Sequence, residues 1–242
     1  MANKTKFLEK WDFILFLGES GGGKGTLIKK IKDYWLPDLR SASMGDIFRK
    51  KAEEDPEIKA KTEQGILIDD ATVFSIFKDY AEANKPGIID GYPRNRQQAI
   101  DLIRFVKEKG WRVLVIDISC SIEVIIGRLL ARQRPDDTLT VIYSRHTDHK
   151  NRHPLVMAEL ETRPDLFDIL RLDGNNDSDI TFSNFVLSVI RFVDMLYFYD
   201  LDDVETHFGV ENDETSVNPA INRWISGFLR NIQGKIEKQN PS

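Results

Sequence analysis

Short apolar runs recur along the chain, separated by longer stretches in which apolar positions return every three or four residues. The runs are FILFL at 13–17, GIIDG at 87–91, WRVLVIDIS at 111–119 and FDILRLDG at 167–174, with a weaker one, DLRSAS, at 38–43. VLVIDI carries no polar alternation, as expected of a strand buried on both faces. Between the runs, Leu27, Ile28, Ile31 and Trp35 form one apolar stripe at helical spacing. Alternation of this kind predicts an α/β fold, a parallel sheet between helix layers, with ligands at the carboxyl ends of the strands.

Two stretches break the rhythm. Residues 44–76 hold two short helical patterns split by EEDPEI and Gly65, and predict a small helical insertion. Residues 192–222 contain eight acids and no lysine or arginine, which predicts a boundary near 200. Beyond it, Asn218 and Pro219 read as a helix cap and first-turn proline. Ile221, Trp224, Ile225, Phe228, Leu229, Ile232 and Ile236 then mark an amphipathic helix. The expected organisation is a core over 1–199 and an extension over 200–242, an acidic linker plus that helix, whose partner the sequence does not name.

Composition narrows the function classes. An apolar content of 41% with 30% charged residues is that of a soluble globule. The single cysteine, Cys120, excludes an internal disulfide and a multi-cysteine zinc site, and suits a reducing compartment. No apolar run reaches the ~18 residues of a membrane span, and the amino terminus lacks a secretory signal pattern. These features predict a cytoplasmic protein, expected to be a monomer. The net charge is −5, from 34 basic and 39 acidic side chains, which argues against general nucleic-acid binding. Within this acidic chain, GRLLARQRPDDT at 127–138 crowds Arg128, Arg132 and Arg134 together. Two like charges at about 6 Å repel by roughly 3 kcal/mol at an effective dielectric near 20. The cluster therefore points to an anion.

LFLGESGGGKGTLIKK shows where an anion would sit. Gly18 and the pair Gly23-Lys24 satisfy the Gly-x4-Gly-Lys core of a phosphate-binding loop between a strand and a helix. Gly21, Gly22, Gly23 and Gly25 let successive N–H groups turn inward onto phosphate oxygens, where the next helix also presents its positive end. Lys24 supplies a mobile cation. Gly25 follows it, so the hydroxyl of Thr26 stands one place later than in the usual motif.

The Gly-Lys-Gly-Thr ending resembles the adenylate kinase family, and further motifs follow in order. SMGDIFRK at 43–50 is similar to the family's Ser-Thr-Gly-Asp-x-x-Arg, with Met44 in place of threonine. GILID at 65–69 resembles the segment lining the acceptor base, and DGYPRNRQQA at 90–99 resembles Asp-Gly-Phe-Pro-Arg-x-x-x-Gln. RPDDT with Arg145 matches an Arg-x-Asp-Asp motif and its following arginine, and LDGN at 172–175 matches the last strand and adenine loop. The resemblance covers residues 11 to about 197 and implies a P-loop kinase fold with a five-stranded parallel sheet.

It also implies phosphoryl transfer from ATP, with Mg2+, to a nucleoside monophosphate, most simply AMP. Gly21, Gly22, Gly23, Lys24, Gly25, Thr26, Arg128, Arg132 and Asn176 would bind ATP. Met44, Arg49, Ile66, Leu67, Ile68, Gly91, Tyr92, Pro93, Arg94, Gln98, Arg134 and Arg145 would bind the acceptor. Lys24, Arg94, Arg132, Arg134 and Arg145 would be catalytic, and Asp90 would hold a magnesium-bound water. Such chemistry is mostly positioning and charge neutralisation, which suits guanidinium forks. Gln98 as it stands permits adenine or, with its amide reversed, guanine or uracil, while cytosine matches adenine at this edge. CMP, UMP or another small acceptor is therefore the alternative, as is a catalytically weak nucleotide-responsive binding module.

One departure stands out. The family places a loop or a longer, often zinc-bearing domain between the arginines matched by Arg132 and Arg134, where this chain has only Gln133. A lid reduced to 132–134 predicts slower transfer and some hydrolysis of ATP. Asp136 and Asp137 are expected to cap the next helix and hold the arginines. His146, His149 and His153 share one helical face, and the family needs no metal there. Cys120 is expected to pack at the end of a buried strand.

Overall fold

The structure, a computed structural model, describes residues 10–34, 36–54, 68–134 and 137–192; the side chains of Tyr34, Arg49, Ala52, Ser183, Leu187, Ile190, Arg191 and Phe192 are not described. The apolar runs form strands β1 (Phe13–Leu17), β2 (Arg40–Ser43), β3 (Gly87–Asp90), β4 (Val113–Ser119) and β5 (Phe167–Asp173). Between them lie helices α1 (Lys24–Tyr34), α2 (Met44–Glu54), α3 (Asp70–Ala83), α4 (Arg96–Lys109), α5 (Ile122–Arg132) and α6 (Leu139–Glu161), and α7 (Ser178–Phe192) follows β5. The strands form one five-stranded sheet in the order β2-β3-β1-β4-β5, parallel at every pairing. This is the α/β architecture the alternation predicts.

β1 is central, and Phe13 to Leu17 are all buried. Side chains alternate across a strand. Phe13, Leu15 and Leu17 join Val113 and Val115, and α3, α4 and α6 add Phe77, Leu102, Phe105, Val156 and Leu160 to the same core. The alternate residues Ile14, Phe16, Leu114 and Ile116 are buried as completely. At the amino ends of the strands, Asp168 accepts from Trp11 Nε1 at 2.7 Å and pairs with Arg112 through two hydrogen bonds. The carboxyl ends are left to the functional loops.

Helix boundaries follow local chemistry. Asp69 caps α3 by accepting from Thr72 N, and Asn95 caps α4 by accepting from Gln98 N. α3 runs to Ala83, past the expected end of the insertion at 76, and residues 55–67 lie outside the described residues. The cap of α6 corrects an expectation: Thr138, not an aspartate, accepts from Val141 N. Asp137 sits one residue too early and turns inward instead.

α5 ends on Gln133, whose φ of 55° is left-handed. Glycine adopts this conformation without the Cβ clash that costs other residues about 1 kcal/mol or more. Gln133→Gly is accordingly expected to stabilise the fold by about 0.5–1 kcal/mol, after allowing for glycine's freer unfolded state. A lower midpoint in urea than wild type would contradict this.

The chain divides into two compact units, Met1–Thr181 and Phe182–Ser242. The first carries the whole sheet. In the second, the described residues are the end of α7, where the Phe182 and Phe185 rings stack with centroids 6.5 Å apart. The expected boundary near 200 and the amphipathic helix beyond it fall outside the described residues.

Candidate functional site

A cleft of about 1690 Å3 opens at the carboxyl ends of β1, β2 and β3. This is where an open parallel sheet switches direction and loops part on either side of β1. The glycine loop leaves β1 at Gly18, whose φ is 120° and whose absent Cβ would stand 2.2 Å from the carbonyl oxygen of Ile118. Only glycine fits there, because the obstacle is backbone of the neighbouring strand. Gly174, in the loop after β5, is equally constrained: a Cβ would lie 2.7 Å from Gly22 O and 2.5 Å from Cys120 Sγ. Beneath the loop, Ile125 and Leu129 of α5 join Ile142 of α6 in a separate apolar cluster.

Lys24 is 9% exposed and donates to the carbonyls of Gly18 and Glu19, both at 2.8 Å. Asp90, ending β3, lies 3.7 Å from its ammonium. Burial pushes the Lys24 pKa below its ordinary value, with the Asp90 charge opposing and Arg94 reinforcing. Burial likewise pushes Asp90 up against the pull of Lys24 and Arg94. Asp90 Oδ1 is buried and forms no hydrogen bond with the described residues. A buried acceptor without a donor is costly unless something fills its valence.

The arginines approach from three elements. Arg94 follows β3, its Nε donating to Gly91 O at 2.8 Å. Arg128 on α5 reaches across to Gly21 O at 3.5 Å and Asn176 O at 3.3 Å, bridging the glycine loop and the loop after β5. Arg132 makes a two-pronged pair with Asp137, Nε to Oδ2 and Nη2 to Oδ1, each at 2.8 Å. Arg145 on α6 lies 3.7 Å from the same carboxylate, which is 1% exposed. Asp137 thus holds two cations, as expected from the sequence; Asp136 is outside the described residues.

Most residues singled out from the motifs line this one cleft. Gly21 to Thr26, Met44, Ile68, Asp90 to Arg94, Gln98, Arg128, Arg132, Arg134, Arg145 and Asn176 all border it. Ile66 and Leu67 lie outside the described residues, and Arg49 is placed only as backbone of α2. Met44, 1% exposed, is packed into the same core as Phe77 and Tyr92, so its contact is apolar where a threonine would offer a hydroxyl. Cys120 falls one residue beyond β4, half-buried, with Arg128 Nη1 3.4 Å from its sulfur. Its packing is therefore against the glycine loop rather than inside the sheet.

Three features escaped the motif reading. His146 Nδ1 meets the Glu19 carboxylate at 2.9 and 3.0 Å, tying α6 to the glycine loop. His149 and His153 stack with centroids 4.4 Å apart, and His153 Nε2 lies 2.9 Å from Asp117 Oδ1 without hydrogen-bond geometry. Burial and then the His153 charge push His149 down to about 4, so it is neutral near pH 7. Among the described residues no three or more His, Cys, Asp or Glu side chains are grouped to hold a metal ion. The spacing of the histidines gave their common face, but not that it would turn to the cleft. The third feature is Asp70, which contacts Gln98; its sequence signal was only an acidic residue at a helix start.

Comparison with known proteins agrees with this geometry. Residues 16–164 match the family model described as adenylate kinase. The chain is 43% identical over 127 residues to an adenylate kinase of Rickettsia bellii (strain RML369-C), spanning 49% of this chain but only 57% of that protein. It is 31% identical over 180 residues to adenylate kinase 1 of Synechocystis sp. (strain ATCC 27184 / PCC 6803 / Kazusa), covering 71% of this chain and 93% of that protein. An adenylate kinase of Trichodesmium erythraeum (strain IMS101) is 32% identical over 177 residues, or 67% and 90% of the two chains. With the glycine loop, the parallel sheet and the arginine-lined cleft already in place, these matches show that the chain belongs to the adenylate kinase family.

Proposed function

We propose that the chain is a nucleoside monophosphate kinase that transfers the terminal phosphoryl group of ATP to AMP. The observation that carries this reading is the convergence of Lys24, Arg94, Arg132, Arg134 and Arg145 on one cleft beside a glycine loop. Two anionic substrates must meet there, and the cations offset the repulsion and stabilise charge on the moving group. Lys24 and Gly21 to Thr26 hold the donor phosphates, and Arg128 with Asn176 meets its base. Arg49 and Arg94 hold the acceptor phosphate, and Gln98, with Met44, Ile68 and Tyr92, meets the acceptor base.

Magnesium fits this donor set. The buried, unsatisfied Asp90 Oδ1 suits a metal-bound water better than a direct protein contact. Asp90 would hold the ion through that water, and the ion would supply positive charge against the negative charge of the phosphates. The proposed setting is cytoplasmic; among the described residues no helix is long and apolar enough to cross a membrane.

The connection from α5 to α6 favours a slower version of this chemistry. α5 ends at Arg132 and α6 begins at Leu139, so little chain is available to cover a donor nucleotide. Water exclusion is correspondingly weaker. The test is a panel of AMP, CMP, UMP and GMP with ATP and Mg2+, following diphosphate formation and free phosphate together. AMP is expected to be the best acceptor, with measurable phosphate release beside transfer. ATP binding without transfer to any monophosphate would sink the kinase reading; fast transfer with negligible phosphate release would sink the part about water.

A further inference from the structure

Gln98 is 6% exposed and borders the cleft, yet both ends of its amide are already engaged by protein. Oε1 accepts from the backbone N–H of Arg94 at 2.8 Å. Nε2 donates to Asp70 Oδ1 at 2.8 Å. The same Asp70 oxygen accepts from Asn95 Nδ2 at 2.9 Å, while Asn95 Oδ1 accepts from the backbone N–H of Gln98. One carboxylate from the start of α3 therefore organises two side-chain amides at the start of α4.

Amide oxygen and nitrogen are easily confused, and only their partners tell them apart. Here the partners leave one choice. A backbone N–H can only donate and a carboxylate can only accept. Turning the Gln98 amide over would set N–H against N–H and oxygen against carboxylate, losing both bonds. A primary amide has two lone pairs and two N–H groups, and the protein uses one of each. What remains is one acceptor beside one donor, in a fixed order.

That order discriminates among bases. Adenine and cytosine present an amino N–H next to an unprotonated ring nitrogen, the complement of a free acceptor beside a free donor. Guanine and uracil present a carbonyl oxygen next to a ring N–H, which requires the amide reversed. We infer that Asp70 is a specificity-determining positioning residue: by locking the Gln98 amide it selects amino-bearing acceptor bases over oxo-bearing ones. This rests on the reading of the cleft as a monophosphate site. It removes an ambiguity that Gln98 alone leaves open, since a glutamine free to rotate serves either class.

The test compares the full-length wild type, Asp70→Ala and Asp70→Asn. It measures kcat and KM separately for AMP, CMP, GMP and UMP with ATP, together with the melting temperature of each protein. In Asp70→Ala the preference for AMP over GMP, as a ratio of kcat/KM, is expected to fall by about tenfold or more, with the loss for AMP falling mainly on KM. Asparagine keeps an oxygen where both donors need one, so Asp70→Asn is expected to restore the ratio to within about threefold of wild type. If alanine prevents folding, Asp70→Ser, too short to reach Gln98, gives the same readout. A merely structural Asp70 would depress all four acceptors alike and leave the ratio unchanged, which overturns the inference while the kinase reading stands. Failure of asparagine to restore the ratio overturns it too. No transfer by the wild type to any monophosphate overturns the kinase reading and this inference with it.

Discussion

Lys24→Met is expected to lower turnover by at least ~10^2-fold, about 2.7 kcal/mol of lost transition-state stabilisation. Methionine approximates the unbranched stem of lysine and carries no charge. Lys24 is held at the mouth of the glycine loop by two carbonyls and faces Asp90, so its ammonium stands where terminal phosphate oxygens would gather. Burial works against its charged form, but methionine also leaves the Gly18 and Glu19 carbonyls and Asp90 without that cation, so some fall in melting temperature is expected as well. Activity is therefore compared at a temperature where both proteins are folded. Turnover within threefold of wild type, measured as ADP formation, would show that the cation is not used in transfer.

The second large effect is expected from Asp137→Ala. This 1% exposed carboxylate takes both prongs of Arg132 and stands 3.7 Å from Arg145. Removing one partner of a buried pair costs about 3–5 kcal/mol. Arg132 remains 31% exposed in its side chain and water screens part of the loss, so about 2 kcal/mol is expected by urea unfolding. Activity is expected to fall by about 10–100-fold, because two guanidinium groups lose their placement and small misplacements are costly in a reaction driven by alignment. Asp137→Asn, which keeps an acceptor but not the charge, should fall between. Wild-type stability and turnover in the alanine variant would mean that the arginines are positioned by something else.

What the sequence made legible and what it did not divide along a physical line. Strands β1, β3 and β4 are visible because each is a largely buried apolar run, β2 (RSAS) is faint because it is polar and only partly covered, and the glycine loop is visible because its backbone demands glycine at fixed places. Gly18 shows the connection directly: its motif position is also the point where a Cβ would strike Ile118. The cap of α6 is ambiguous in sequence because Asp136, Asp137 and Thr138 are all capable N-caps, and local preference ranks them too closely to choose. The choice is made by Arg132 and Arg145, which draw Asp137 inward and leave Thr138 to the helix. Asp70 and the His146–Glu19 pair were hidden for a related reason. They join residues 28 and 127 positions apart in the sequence, and no periodicity reports a contact of that range.

The central position of β1 bears on how such a protein can change over time. The glycine loop rises from β1 itself, and Arg128 on α5 ties it to the loop after β5. The Asp70–Gln98–Asn95 network stands at the starts of α3 and α4. Substitutions in that network can retune which base is accepted without disturbing the loop or the Asp137 anchor. Phosphate handling and acceptor preference are nonetheless two inherited traits joined at Arg94, whose backbone N–H holds the Gln98 amide, so drift in one is felt by the other at that residue.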